Sequence, residues 1–266
     1  MAKGADFSLS GRTIVITGGG GILGKRMSQA LVDAGAAVAI IELDGNKAQN
    51  AVDGLYGAGT ARAYEADITT PASVEAARSL IETDLGPVFG LINNAATKTQ
   101  NFFEPFESFQ LEDWNAVMGV NLTGAMVCCQ VFGRGMVERG GGAVVNTLSI
   151  YGIVAPDQRI YEGSLYDGRA INTPAVYTAS KAGLWGLTKY LATYWGDKNI
   201  RVNALTPGGV FSGQNDTFVK AYSNRVPMGR MAQEDEMSGA LVFLLSDAAS
   251  FVTGQNVVVD GGLSVW

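Results

Sequence analysis

Residues 12–35, RTIVITGGGGILGKRMSQALVDAG, constrain the fold more than any other stretch. RTIVIT (12–17) is a β-branched run that stops at four glycines. KRMSQALVDAG (25–35) then carries apolar residues at helical spacing and ends on Gly35. A buried strand that feeds a helix rejoins its sheet by a crossover, which favours parallel pairing. The same beat repeats down the chain. Further strands read at 36–42, 60–67, 89–95, 143–149, 201–207 and 256–262. Further helices read at 45–56, 71–86, 111–138, 175–197 and 233–246, with Pro71 marking a helix start. The expectation is one α/β domain over 1–266, a doubly wound parallel sheet of Rossmann type with helices on both faces.

Composition narrows the function. Hydrophobic residues make up 47% of the 266-residue chain and charged residues 17%, which suits one large core. The net charge is −6 with no basic cluster, so nucleic acid is excluded as a partner. MAKGADFSLSGR has no apolar core of a signal peptide, and no run of about 20 apolar residues predicts a membrane span. Cys128 and Cys129 are adjacent in a helix-like stretch and point apart, so they form no bridge and suit a cytoplasmic setting. Histidine is absent, which removes Ser-His-Asp triads and most zinc arrangements; no metal is expected.

The glycine run TGGGGILG (17–24) sits between strand and helix, where glycines let a backbone approach a pyrophosphate. Two templates fit: GxGxxG on Gly19, Gly21 and Gly24, or TGxxGxxG on Gly18, Gly21 and Gly24. The second is preferred, with Gly19 and Gly20 giving backbone freedom. Glu42 closes the second strand 18 residues past Gly24. A carboxylate there accepts hydrogen bonds from ribose hydroxyls and repels a 2′-phosphate. With Lys25 the only base nearby in sequence, the expected cofactor is NAD rather than NADP.

YTASK (177–181) places Tyr177 and Lys181 at i and i+4, on one face of a helix. An ammonium beside a phenol stabilises the phenolate and makes it a usable base. With TGGGGILG and Glu42 come EADI (65–68), NNAA (93–96), VNLTG (120–124), VVNTLS (144–149), RVNALTPGGVFS (201–212) and VTGQNVVVDGG (252–262). Over its whole length the chain resembles the short-chain dehydrogenase/reductases. That resemblance implies Tyr177 as general acid/base, Lys181 lowering its pKa and Ser149 bonding the substrate oxygen. It implies Asn121 holding a water that links Lys181 to solvent. Hydride passes between a carbinol carbon and nicotinamide. The implied cofactor set is Gly18, Gly21, Ile22, Leu23 and Gly24 in the turn, Glu42 at the ribose, Asp67 and Ile68 at the adenine, Asn93 and Ala95 in the cleft, Tyr177 and Lys181, and Pro207, Gly208, Val210 and Ser212 around the nicotinamide.

Two features depart from the family pattern. Ile22 stands where the commonest short-member turn has glycine; TGxxGxxG is typical of longer relatives that act on nucleotide-sugars, which leans the substrate toward carbohydrate. The interval from Ser149 to Tyr177 is 28 positions, longer than usual, and the excess falls in a polar loop at 153–176. That loop either meets a hydroxyl-rich or charged substrate or contacts a neighbouring subunit. A second unusual loop, TKTQNFFEPFESFQLEDW (97–114), is aromatic-rich. Both are expected at the C-terminal ends of strands. The expected substrate set is Ser149, Tyr151, Arg159, Arg169, Tyr177 and Gly209. The leading reading is an NAD-dependent dehydrogenase of a sugar-like secondary alcohol, forming a homo-oligomer, dimer or tetramer. The alternatives are a ketoacyl or other lipophilic-carbonyl reductase and a non-catalytic NAD(H)-binding regulator.

Overall fold

A computed structural model describes residues 5–166 and 168–266. The strands are β1 (Thr13–Thr17), β2 (Ala37–Glu42), β3 (Thr60–Glu65), β4 (Val88–Asn93), β5 (Gly142–Thr147), β6 (Leu165–Tyr166), β7 (Arg169–Ala170), β8 (Ile200–Pro207) and β9 (Asn256–Val259). The helices are α1 (Ile22–Asp33), α2 (Gly45–Val52), α3 (Pro71–Leu85), α4 (Leu111–Met118), α5 (Ala125–Arg139), α6 (Ala175–Tyr194), α7 (Asp216–Ser223) and α8 (Ser238–Leu245). Seven strands form one sheet in the order β3-β2-β1-β4-β5-β8-β9, parallel throughout. β6 and β7 make a small separate hairpin.

Alternation along the strands builds two cores. Ile14 and Ile16 of β1 face one side with Val38, Ile40, Val145 and Leu205, against α1 and α8. Val15 faces the other with Ile41, Leu91, Val144 and Val202, against α3, α5 and α6. Side chains of this size contribute roughly 1.5–3 kcal/mol each on full burial, so a one-residue register slip is strongly disfavoured. The chain winds outward from β1 in one direction and from β4 in the other. The crevice at their C-terminal ends is where such sheets take ligands.

Several elements depart from expectation. The helix expected at 111–138 is one rod, but Gly119–Gly124 is wound as a π-helix. The helix expected from 233 starts at Ser238, because Glu236 pairs with Arg230 and accepts the Gln233 N–H, folding that stretch into a turn. The strand expected to 262 ends at Val259, where the Asp260 carboxylate accepts the Gly262 and Ser264 amides. The sequence reading gave no helix between 207 and 233; α7 lies there, capped by Asn215 on the Phe218 N–H. The rod Leu111–Arg139 is the one helix among the described residues long and apolar enough to cross a membrane. Its inner face, including Val127, Cys128, Val131 and Phe132, is buried in the core beneath the sheet.

Candidate active site

A cleft of about 870 Å³ runs along the C-terminal edge of the sheet, from Glu42 and Asp67 at one end to Ser149 and Tyr177 at the other. The glycine turn shapes its middle. Gly18 has φ +67°, and a Cβ there would stand 2.8 Å from the Ala95 backbone. A Cβ on Gly24 would stand 2.7 Å from the Gly19 Cα, so α1 packs on the turn only with glycine at 24. Gly19 also has a packing role, since its Cβ would meet Ile40 at 2.9 Å; it does more than loosen the backbone. Gly21 caps α1 without a side-chain bond, and the first turn of α1 carries no acid. Its open N–H groups are a ready anion site. A pyrophosphate-bearing dinucleotide therefore fits this cradle.

β1 and β4 are sewn together beside the turn. Thr17 Oγ1 accepts the Asn94 and Ala95 amides at 3.1 Å, and Asn94 Nδ2 donates to the Thr17 and Gly18 carbonyls. Asn94 and Ala95 line the cleft. The expected cleft residue Asn93 does not: it is 3% exposed and donates to Asn146 Oδ1 at 2.8 Å. Asn146 in turn donates to Thr188 on α6, so this buried ladder ties β4, β5 and α6 together. At the adenosine end Glu42 Oε1 accepts the Gly20 N–H at 2.8 Å and pairs with Lys47 at 3.0 Å. Lys47 is a second base near the turn beside Lys25, supplied by α2. Asp67 and Ile68 line the same end. Asp67 Oδ1 is engaged by Thr69, whose hydroxyl and amide hold the carboxyl below its usual range.

α6 carries the candidate catalytic pair, Tyr177 and Lys181. Its buried residues Val176, Ser180, Lys181, Leu184, Thr188 and Leu191 recur at helical spacing. Tyr177 lies at the cleft side of that stripe, partly exposed, while Lys181 is 3% exposed. Ser149 follows β5, is hydrogen-bonded to the Tyr177 phenol, and its Oγ accepts the Tyr151 N–H. Burial raises the phenol above its ordinary value; the Ser149 bond opposes this and the nearby Tyr161 phenol adds to it. Lys181 Nζ sits 6.0 Å from the Tyr177 ring and donates to the Thr147 carbonyl at 2.8 Å. Burial brings its ammonium down to about 8. In this arrangement burial governs the phenol, and the expected lowering by Lys181 does not figure. Gly152 lets α6 come close: a Cβ there would stand 2.8 Å from the Lys181 Cβ. Asn121, 1% exposed on the π-helical stretch, accepts the Thr97 N–H and donates to Ser180, joining the loop after β4 to α6.

Residues 21–264 match the family described as enoyl-(acyl carrier protein) reductase. The chain is 33% identical over 266 residues to a D-threitol dehydrogenase of Mycolicibacterium smegmatis, covering 98% of this chain and 95% of that protein. It belongs to the short-chain dehydrogenase/reductase family. A short-chain dehydrogenase of Leptospira borgpetersenii with bound NAD+ superposes with a TM-score of 0.86 at 32% identity, covering 100% and 97% of the two chains. A gluconate 5-dehydrogenase of Burkholderia cenocepacia in complex with NADP and tartrate superposes with a TM-score of 0.84 at 32% identity, covering 98% of both. Membership makes the chain an oxidoreductase acting on CH–OH groups, with a nicotinamide dinucleotide as cofactor.

The remaining expected residues divide. Ile22, Leu23, Gly208, Gly209, Val210 and Ser212 line the cleft. Pro207 is buried in β8, in register with Val259, outside the lining. The Gly209 N–H donates to the Tyr222 phenol of α7, and a Cβ on Gly209 would collide with that ring. Tyr151 lines the cleft, but the two arginines do not. Arg159 is exposed and bound back to Asp157 through two nitrogens. Arg169 is exposed and reaches the Gln100 carbonyl. Charged side chains on polar loops stay in water unless a buried partner draws them in. The residues of 153–176 that do reach the cleft are Tyr161, Ile171, Asn172, Thr173 and Pro174. The other unusual loop supplies Lys98, Phe102 and Phe103, with Phe102 edge-on to Tyr177 at 6.4 Å. Asn172 Nδ2 ties the two loops by donating to the Phe103 carbonyl at 2.7 Å. The aromatics of 97–110 were the available signal for the second loop; the hydroxyls of the first carry none.

Proposed function

We propose that the chain is an NAD-dependent dehydrogenase of a sugar-like or polyol secondary alcohol. The observation that carries this reading is the Ser149–Tyr177–Lys181 array at a cleft end walled by hydroxyl groups, those of Tyr151, Tyr161 and Thr173. A nicotinamide bound there would supply the hydride acceptor for oxidation, or the donor for reduction, of the substrate carbon. The Tyr177 phenol takes the hydroxyl proton in oxidation and returns it in reduction. Ser149 orients the same oxygen, and Lys181 steadies the ring face and the ribose hydroxyls. Asn121 holds a water that connects Lys181 to solvent. General acid/base help of this kind contributes about 10²–10⁴-fold.

Glu42 supports NAD over NADP, since a carboxylate at the end of β2 would repel a 2′-phosphate; its pairing with Lys47 weakens that repulsion. The D-threitol and gluconate dehydrogenases among the relatives support a polyhydroxylated substrate. Two buried free thiols, Cys128 and Cys129, suit a reducing compartment such as the cytoplasm. Tyr190 and Tyr194, stacked and about 60% exposed on α6, support association into a dimer or tetramer through that helix. The test is NADH fluorescence with a panel of sugars, polyols and ketoesters, each with NAD and NADP. Turnover of polyols with NAD supports the reading. Turnover confined to ketoesters with NADPH selects the lipophilic-carbonyl reductase. Cofactor binding with no turnover selects a regulator.

A further inference from the structure

Three hydroxyls from separate segments meet beside Tyr177. Tyr161 Oη and Thr173 Oγ1 are 2.5 Å apart. The Tyr151 phenol lies close enough to Tyr161 for each to act on the other, and Tyr161 is close enough to act on the ionisation of Tyr177. All three line the cleft that holds Ser149 and Tyr177. Their mounting is rigid. The Tyr161 ring stacks on Phe218 of α7 at 5.4 Å and 23°. Gln158 clamps Thr173 from both sides, donating to its carbonyl and accepting its N–H. Asp157 caps the 3₁₀ turn Gln158–Tyr161 and pairs with Arg225 at 3.0 Å.

The chemistry of such a cluster is selective. Each hydroxyl donates once and accepts twice. The Tyr161–Thr173 bond consumes one of the three hydrogens and leaves donors as well as several acceptor sites for a ligand. A substrate hydroxyl, itself donor and acceptor, satisfies both sides at once. An alkyl group in its place strands buried polar atoms. Resting on the reading of this site as one that oxidises a carbinol, we propose that Tyr161, Thr173 and Tyr151 form a subsite for a second hydroxyl of the substrate. Tyr161 is its central specificity residue. The long segment between Ser149 and Tyr177 is then a recognition element, because it supplies all three groups.

The test compares threitol with 2-butanol, which offers a single secondary hydroxyl on the same carbon skeleton, in the wild-type enzyme, Tyr161→Phe and Thr173→Val. Tyr161→Phe keeps the ring stacked on Phe218 and deletes only the hydroxyl. The expected result is that the ratio of kcat/KM for threitol over 2-butanol falls about 10- to 100-fold, mainly through KM for threitol. Thr173→Val is expected to shift the ratio the same way by about 5-fold. A structural defect lowers both substrates together and leaves the ratio in place. An unchanged ratio in both variants overturns the subsite while the carbinol reading stands. A wild-type enzyme that oxidises 2-butanol as well as threitol does the same. A wild-type enzyme that turns over no sugar or polyol of the panel, with either cofactor, overturns the polyol reading and the subsite with it; where the panel selects another polyol, that polyol and its mono-alcohol replace threitol and 2-butanol.

Discussion

Lys181→Met is expected to make the protein more stable and nearly inactive. Lys181 is 3% exposed, and burial brings its ammonium from 10.5 down to about 8. That drop corresponds to about 3 kcal/mol of lost stability with the charge present. The folded value lies below the unfolded one, so the unfolded chain binds more protons between the two. Stability therefore rises with pH across that window, and the cost is fully present below about 8. Methionine fills the volume of the lysine stem without charge. Against the gain, the Thr147 carbonyl loses its 2.8 Å donor, which costs about 1–2 kcal/mol. The net expectation near neutral pH is a gain of about 1–2 kcal/mol, or roughly 2–6 °C in melting temperature for a chain of this size. The assay is a thermal melt of both proteins at neutral pH and again at roughly pH 10, where the wild-type ammonium has largely discharged and the gap closes. Activity at neutral pH falls at least about 10²-fold. A variant that melts below the wild type at neutral pH, with the same gap at high pH, refutes the reasoning.

Other expectations follow from the same geometry. Because burial holds the Tyr177 phenol above its ordinary value, kcat/KM for alcohol oxidation should climb with pH over roughly pH 6–8, below the discharge of the Lys181 ammonium, while carbonyl reduction stays flatter; a flat oxidation profile contradicts this. Gly152→Ala forces a Cβ against Lys181 and its backbone, which should cost about 1–3 kcal/mol and lower kcat about 10-fold or more, read by melting and steady-state kinetics. Glu42→Gln keeps an acceptor for the Gly20 N–H but removes the charge and frees Lys47; the NADP-to-NAD ratio of kcat/KM should rise about 10-fold, and no change would place cofactor choice elsewhere.

The sheet was legible because its strands are buried on both faces. Continuous runs such as TIVIT and AVAIIE have no other use at that length, and the crossover logic then dictates parallel order. The catalytic face of α6 was legible because Tyr177 and Lys181 fall on one helical stripe. What failed was whatever depended on contacts between distant segments. α7 has only eight residues, and its inward Phe218 and Tyr222 have meaning only beside Tyr161 and Gly209. Asn93 and Asn94 are adjacent and chemically identical; strand alternation sends the first into the core and the second to the cleft. Arg159 and Arg169 drew attention by charge, yet a guanidinium on an exposed turn finds a local carboxylate or carbonyl first. The hydroxyls of Tyr161 and Thr173, twelve residues apart, carry no local pattern that announces their meeting.

The central claim is that the Tyr177 phenol moves the proton at a bound carbinol oxygen. Tyr177→Phe tests it most directly, with NADH affinity measured by fluorescence titration and polyol oxidation measured by NADH formation on the same preparation. Affinity is expected within about 3-fold of the wild type, with a loss of about 10²–10⁴-fold in kcat. A variant that binds NADH and turns over like the wild type would contradict it.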